Sequence, residues 1–357
     1  MANADKRPAT VYTVGVTGDK SDSSCCATWL NHLPRSIGVN DVTFKFVQGG
    51  GVTVTPFEEC GYISDHDFMV VCDTTDTVVK EAQMLMGNRC IEVSRTYKFE
   101  YMTNLFLAAK KSSLPLEVML PVAWNSSCGI QQDGRVEFPK WCDRIICKPM
   151  GGARGNDQCI VSVELFEAFI KEQHKIPTEE LETKFPTVKF FWSKTHKKPN
   201  GEFKEGMFGF FECAWMALPY VPNVYLEFRM IIGGDRFVVY KRNLTTINGE
   251  SRVETSDTAP LTTENYPDYI ADRNELSKKY NIDFSELLRF AHEAGITTGS
   301  IDFYLRTDVI TGANVLGVFE CCSQYGTAYV PLHTRKLLTH GFAIYCAKKF
   351  YATLPKD

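Results

Sequence analysis

Short apolar runs separated by turn residues recur through the first part of the chain: VYTVGV from Val11, VTFKFV from Val42, DFMVVCD from Asp67 and CIEVS from Cys90. They alternate with stretches of helical composition such as 77–86, the pattern of a small α/β layer reaching to about Val93. Asp73 closes the run VVCD, a polar group where a parallel strand stops. From Lys98 to Pro121 the period lengthens: Tyr101, Leu105, Ala108 and Ala109 follow helical spacing, and Pro115 and Pro121 end a segment that enters a second subdomain. Arg144 to Lys148 reads as a strand, followed by a glycine loop and a helix over about 163–175 capped by Ser162. KTHKKPNGEFK, 194–204, reads as a polar hairpin loop turning at Pro199-Asn200-Gly201.

Val224 to Arg229 and Arg236 to Tyr240 read as two strands joined by Gly233-Gly234-Asp235. A polar linker over 248–268 leads to a helix with a capping box of Asp283 and Glu286 and a stop at Gly295. GSIDFYLR and VLGVFECC form a further hairpin, and a helix over about 334–354 closes the chain.

A length of 357 residues divides into two or three packed subdomains. The shifts in pattern place them at 1–95, an N-terminal α/β domain; 96–218, a central lobe with the glycine loop; and 219–357, a C-terminal lobe with the acidic hairpin. A formal net charge of −4 offers no general attraction to nucleic acid or an anionic membrane. MANADKRPATVYTVGV carries no basic and apolar signal pattern, and no window reaches the ~18 apolar residues of a membrane span. A soluble, cytoplasmic protein is expected. Thirteen cysteines, an odd number without a CxxC pair, are expected to be reduced thiols and not a zinc ribbon.

Two constellations carry candidate chemistry. Lys148 ends an apolar strand and is followed by Gly151, Gly152, Arg154 and Gly155, which supply two cations and close backbone approach for a polyphosphate. The plain alternative is a turn with a solvated lysine, and the loop matches neither G-x-x-x-x-G-K-[ST] nor G-x-G-x-x-G. Asp302 and Glu320 lie equidistant from Thr311 on the two arms of one hairpin, so an undistorted register sets them opposite each other at about 5 Å. Like charges so placed call for something positive between them, such as Mg²⁺, and a single bulge changes the outcome. Arg229 and the pair Lys241-Arg242 end apolar strands and line a cleft or pair with acids; Glu227, two residues from Arg229, is the simple partner. His292 reads as structural.

The order of the pieces resembles the ATP-grasp superfamily, in which an N-terminal Rossmann-like α/β domain precedes two α+β lobes that hold ATP between them. RTYKFEYMTNLFLAAKKSSLPLEVMLP looks like the segment with the first phosphate-binding lysine, here Lys98. CKPMGGARG looks like the second-lysine strand and its flap, casting Lys148, Gly151, Gly152 and Arg154 against the phosphates. LEFRMIIGGDRFVVYKR is similar to the hairpin whose basic residues, Arg229 and Arg242, meet phosphates or substrate. GSIDFYL and VFECC resemble the hairpin that carries Mg²⁺, with Asp302 and Glu320 as ligands. Two features depart from the pattern. The adenine hinge reads Ala217-Leu218-Pro219-Tyr220-Val221, leaving base recognition to backbone groups around Tyr220 and Val221, and Cys322 stands where an asparagine commonly follows the metal glutamate.

The resemblance implies phosphoryl transfer from ATP to a small-molecule or peptide carboxylate, then attack on the acyl phosphate by an amine or thiol. Lys98 and Lys148 would position phosphates while Arg229 or Arg242 meets developing charge. A nucleotidyl transferase or polynucleotide ligase is the main rival, since Lys198-Pro199-Asn200-Gly201 fits a loose K-x-[DN]-G pattern; nucleic acid is not the favoured partner. A non-catalytic ATP-binding module is a further reading.

Overall fold

The computed structural model describes residues 10–18, 32–48, 63, 65–72, 82–93, 98–125, 138–149, 159–172, 175, 180, 183–186, 214–242, 244–247, 250–253, 266–322 and 332–355. It is a mixed α/β protein built on several sheets. The N-terminal sheet contains β1 (Thr10–Gly18), β2 (Ser36–Val39), β3 (Val42–Gln48), β4 (Phe68–Cys72) and β5 (Cys90–Val93) in the order β2-β3-β1-β4-β5. β3, β1, β4 and β5 run parallel and β2 is an antiparallel edge. The apolar runs read from the sequence are these strands.

The second sheet, β7-β10-β8-β9, is made of β7 (Val122–Asn125), β8 (Arg144–Pro149), β9 (Cys159–Ser162) and β10 (Ala214–Pro219). Helix α1 (Lys98–Lys111) and strand β6 (Leu116–Val118) precede it, and helix α2 (Val163–Glu172) follows β9. Ser162 Oγ accepts from the Leu165 N–H at 3.2 Å, the predicted cap. Phe166 and Phe169 of α2 pack on Ile145, Cys147 and Ala217, which covers one face of this sheet.

The third sheet has the order β12-β11-β15-β16-β6, formed by β11 (Val224–Gly233), β12 (Arg236–Arg242), β15 (Thr298–Thr307), β16 (Asn314–Cys322) and β6. β13 (Leu244–Ile247) and β14 (Glu250–Val253) make a small ribbon, so part of the stretch read as linker is strand. Helices α3 (Tyr266–Tyr280) and α4 (Phe284–Glu293) follow, and Asp283 caps α4 by accepting from the Ser285 and Glu286 N–H groups. Gly234 turns the β11–β12 hairpin with φ +57°. Leu226, Phe228 and Met230 of β11 point into one core with Ile301, Phe303 and Leu305 of β15 and Leu287 and Phe290 of α4.

Two packing relations differ from the subdomain boundaries at 95 and 218. Tyr101, Met102, Leu105 and Ala108 of α1 join the third sheet's core, and β6 pairs in parallel with β16. The segment 98–118, grouped by sequence with the central lobe, therefore packs on the C-terminal one, because its apolar helix face finds the larger hydrophobic surface there. The last helix, α5 (Leu332–Thr353), sets Phe342, Ala343, Cys346, Ala347 and Phe350 against Val14, Phe44, Phe68 and Val70 of the N-terminal sheet, so the chain end completes the core of its beginning. Cys90, Cys142, Cys147, Cys321 and Cys346 are free thiols, and burial pushes Cys90 and Cys142 up to about 11. Among the described residues no helix is long and apolar enough to cross a membrane.

Candidate functional site

The third sheet's second face is polar where the second sheet approaches it. Alternation along each strand sends Phe228, Phe303 and Val318 into the helix-covered core, so Glu227 and Arg229 of β11 and Asp302, Tyr304 and Arg306 of β15 share the opposite face. Register brings these into rows. Arg229 lies opposite Asp302 on one side and Tyr240 on the other, while Glu227 lies opposite Tyr304 and Arg242.

Asp302 and Glu320 are cross-strand partners, but the undistorted hairpin read from the sequence is corrected. From Thr307 opposite Asn314 up to Phe303 opposite Val318 the register would set Asp302 against Phe319. A bulge between Asp302 and Phe303 admits Phe319 as the extra residue and restores Glu320 to the partner position. The Phe319 ring lies 4.4 Å from the Tyr304 ring, which gives the added residue a packed place.

The positive charges between these acids are side chains. Arg229 donates from Nε to Asp302 Oδ1 at 2.6 Å and from Nη2 to Oδ2 at 2.7 Å, a two-pronged pair. Arg242 Nη1 donates to Asp302 Oδ2 at 2.7 Å and stands 2.6 Å from Glu227 Oε1. Lys148, at the end of β8, reaches from the second sheet to Glu320 Oε2 at 2.8 Å. Lys148, Arg229 and Arg242 thus form one cluster with Glu227, Asp302 and Glu320. Burial, with the Asp302 carboxylate as the second cause, pushes Glu227 up to about 8, against the opposing pull of Arg242, Arg229 and Lys148. With Glu227 protonated, three cations face two carboxylates and the cluster favours an anion.

A second polar knot lies beside it. Arg306, fully buried, donates from Nε and Nη2 to the two oxygens of Glu117 at 2.8 and 2.6 Å, and Tyr304 Oη donates to Glu117 Oε2 at 2.6 Å. The Arg306 guanidinium stacks 4.8 Å from the Trp141 ring, in the turn that leads into β8. Tyr304 reaches Glu117 by lying across Gly317, where any Cβ would run into its ring. The Glu117 bonds lie within the third sheet, and Trp141 brings the turn before β8 against them.

Beside Lys148 the second sheet offers an apolar wall. Met216 and Leu218 of β10 and Ile146 of β8 pack with Phe99 and Met119 on the face away from α2. Tyr220 donates its N–H to Arg144 O at 2.8 Å, and the Arg144 guanidinium lies 4.4 Å over its ring. Val221 packs with Val224, Tyr304, Trp141 and Phe319. Tyr220 and Val221 are therefore a packed joint between the sheets, and the Tyr220 N–H is already engaged.

Of the other candidates, Lys98 is the first residue of α1, and its side chain lies outside the described residues. Gly151, Gly152, Arg154 and Gly155 also lie outside them, as do Lys198 and the hairpin loop 194–204. His292 stands with Nε2 3.0 Å from Gly234 O and its pKa lowered by burial, a structural contact. The sequence marks Glu227 only as a partner for Arg229; the structure also sets it 2.6 Å from Arg242. Glu117, Tyr304, Arg306 and the wall of Ile146, Met216 and Leu218 were not singled out. The available signals were an arginine inside an apolar strand and a lone strand glycine, Gly317, which marks close approach.

The donor set bears on Mg²⁺. Among the described residues no group of three or more His, Cys, Asp or Glu is arranged for a metal. Both oxygens of Asp302 accept from guanidinium groups, and its side chain is 8% exposed, whereas the Glu320 side chain is 20% exposed. The acids fit an ion shared with ligand oxygens, led by Glu320, and not an ion held by the protein alone.

No family model matches the chain, and no curated protein matches it. It is similar in structure to a D-alanine–D-alanine ligase from Bacillus anthracis complexed with ATP, at 11% identity and a TM-score of 0.43 over 96% of this chain and 97% of that one. It is also similar to the macrocyclase MdnC bound with precursor peptide MdnA from Microcystis aeruginosa, at 9% identity and 0.44 over 94% and 99%. A RimK domain ATP-grasp protein from Sphaerobacter thermophilus has 12% identity and 0.38 over 94% and 99%. At these scores the likeness bears no weight of its own beside the side chains.

Proposed function

We propose that this chain is an ATP-dependent ligase of the ATP-grasp kind, which activates a carboxylate as an acyl phosphate for attack by an amine or thiol. The observation that carries the reading is the meeting of Lys148 with Glu320 from another sheet, in one cluster with Asp302, Arg229 and Arg242. A buried lysine at a strand end, two arginines and paired acids beside an apolar wall supply what a nucleotide triphosphate requires: apolar contact for a flat base, point charges for phosphate oxygens and carboxylates for an accompanying cation.

In this reading the adenine lies against Ile146, Met216 and Leu218, next to the joint at Tyr220 and Val221. Lys148 holds phosphate oxygens, and their arrival displaces Glu320 from its amine. Lys98, Gly151, Gly152 and Arg154 keep the phosphate contacts that the family resemblance implies for them. Glu320, with Asp302, would hold Mg²⁺, which when bound neutralises phosphate charge. Arg229 and Arg242 face the acceptor carboxylate and offset its repulsion from the transferring group, so that the carboxylate oxygen attacks the terminal phosphorus and ADP leaves. The amine or thiol then attacks the acyl carbon and inorganic phosphate departs.

The test uses hydroxylamine as a general nucleophile. Purified protein with Mg²⁺, ATP and a panel of amino acids and short peptides is expected to form the hydroxamate of one acid class together with an equal amount of ADP. ADP release independent of any acid, or labelled AMP left on the denatured protein, would overturn the reading.

A further inference from the structure

The cluster contains one buried acid with no part in the reaction just described. Glu227 is 4% exposed, lies directly opposite Arg242 in the β11–β12 ladder and holds an oxygen 2.6 Å from Arg242 Nη1. The same nitrogen donates to Asp302 Oδ2 at 2.7 Å. Arg242 Nε, in contrast, is buried and has no hydrogen-bond partner among the described residues. A buried cationic donor without an acceptor is costly, and a ligand oxygen arriving at this charged cluster would complete it. The guanidinium is held at one end by oxygens of two acids on neighbouring strands while its inner N–H is left over.

We propose that Glu227 is a positioning residue that holds Arg242 in the orientation in which Nε–H meets an oxyanion of the bound ligand. The inference rests on the nucleotide reading and deepens it by assigning the residue that orders one of its cations. Asp302 alone would not suffice. It already takes two bonds from Arg229, so without Glu227 the Arg242 side chain retains a single shared acceptor and regains rotamer freedom. Glu227 touches no ligand in this account and acts only through Arg242.

A double-mutant cycle tests it. ATP with Mg²⁺ is titrated calorimetrically into the wild type, Glu227→Ala, Arg242→Ala and the double variant, with thermal melts recorded alongside. Glu227→Ala is expected to weaken binding about tenfold, the size of one charge-assisted hydrogen bond. Glu227→Gln, which keeps an acceptor for Nη1, should stay within about threefold of the wild type, and the double variant should bind no more weakly than Arg242→Ala. Glu227→Met removes the acceptor while filling the space, and it should reproduce the alanine result if that variant fails to fold. Wild-type affinity in Glu227→Met, or an effect of Glu227→Ala that persists in full without Arg242, overturns the inference while leaving the nucleotide reading in place. No ATP binding by the wild type overturns both.

Discussion

Lys148 and Glu320 lie 172 positions apart in sequence and on different sheets, yet the lysine amine and the glutamate carboxylate are 2.8 Å apart with both side chains largely buried. The pair links the second sheet to the third. In the proposed nucleotide site, each residue masks the other's charge until phosphate replaces it.

Replacing Lys148 by methionine keeps the buried stem and removes the charge. Nucleotide binding is expected to fall by at least about tenfold and ATP-dependent turnover to vanish, because a lysine–phosphate contact is a charge-assisted bond in a desolvated place. The melting temperature should fall by several degrees, since the Glu320 carboxylate loses its partner in a largely buried place, but the fold should persist. Calorimetric titration with ATP and a thermal melt check both parts.

Glu320→Gln should act in opposite directions with and without metal. In EDTA the variant is expected to bind ADP several-fold more tightly than the wild type, because Lys148 no longer has a carboxylate to leave. With Mg²⁺ the gain should disappear or reverse, as the ion loses its more exposed acid. Parallel ADP titrations in EDTA and in Mg²⁺ decide the matter, and the same shift in both would contradict the dual role.

The buried Glu227 predicts a pH dependence of stability. Its folded pKa stands at about 8 against an ordinary 4.5, so between those values the folded protein keeps a proton that the unfolded chain has released. Its contribution is therefore present in full below about pH 4.5 and is lost as pH rises through about 8. Compared with the wild type, Glu227→Gln should flatten the fall in stability across that window, by an amount on the order of a few kcal/mol. Urea unfolding of the two proteins at several pH values measures the difference.

Gly317→Ala is expected to destabilise the protein more than its single methyl suggests. The new Cβ meets the Tyr304 ring and pushes the hydroxyl from Glu117, disturbing the buried Arg306 pair as well. A loss of about 2–4 kcal/mol follows from a core clash combined with a disturbed buried network. Tyr304→Phe, which loses only the hydroxyl bond, should cost about 1–2 kcal/mol. Equal losses in the two variants would argue against the clash.

Much of the architecture was legible in strand periodicity and caps. Ser162 and Asp283 start the helices they were read to start, and the β11–β12 and β15–β16 hairpins fall where turn residues and alternation placed them. The pairing of Asp302 with Glu320 was reached by counting to a symmetric centre, but the hairpin is centred half a residue away and Phe319 makes up the difference. A bulge leaves no mark in alternation until both ends of the register are known.

Long-range assignments were less legible. Nothing local in 98–118 says that its apolar face prefers the third sheet, and nothing in α5 announces the N-terminal core, because sequence shows that a face is apolar without saying which surface will cover it. For the same reason the chain gave the charges of the cluster but not their pairing. Arg229 makes its two-pronged pair with Asp302 across the strand, since cross-strand neighbours lie closer than two residues along one strand.

The placement of a nucleotide's phosphates at Lys148 is tested most directly by an acyl-phosphate derivative of ATP, which transfers its acyl group to a lysine amine lying against the phosphate chain. Peptide mass spectrometry of the labelled protein should find the acyl group on Lys148, with labelling suppressed by excess ATP and absent in Lys148→Met. Labelling that leaves Lys148 unmodified, or that modifies it equally whether or not ATP is present, would contradict a phosphate site at the junction of the two sheets.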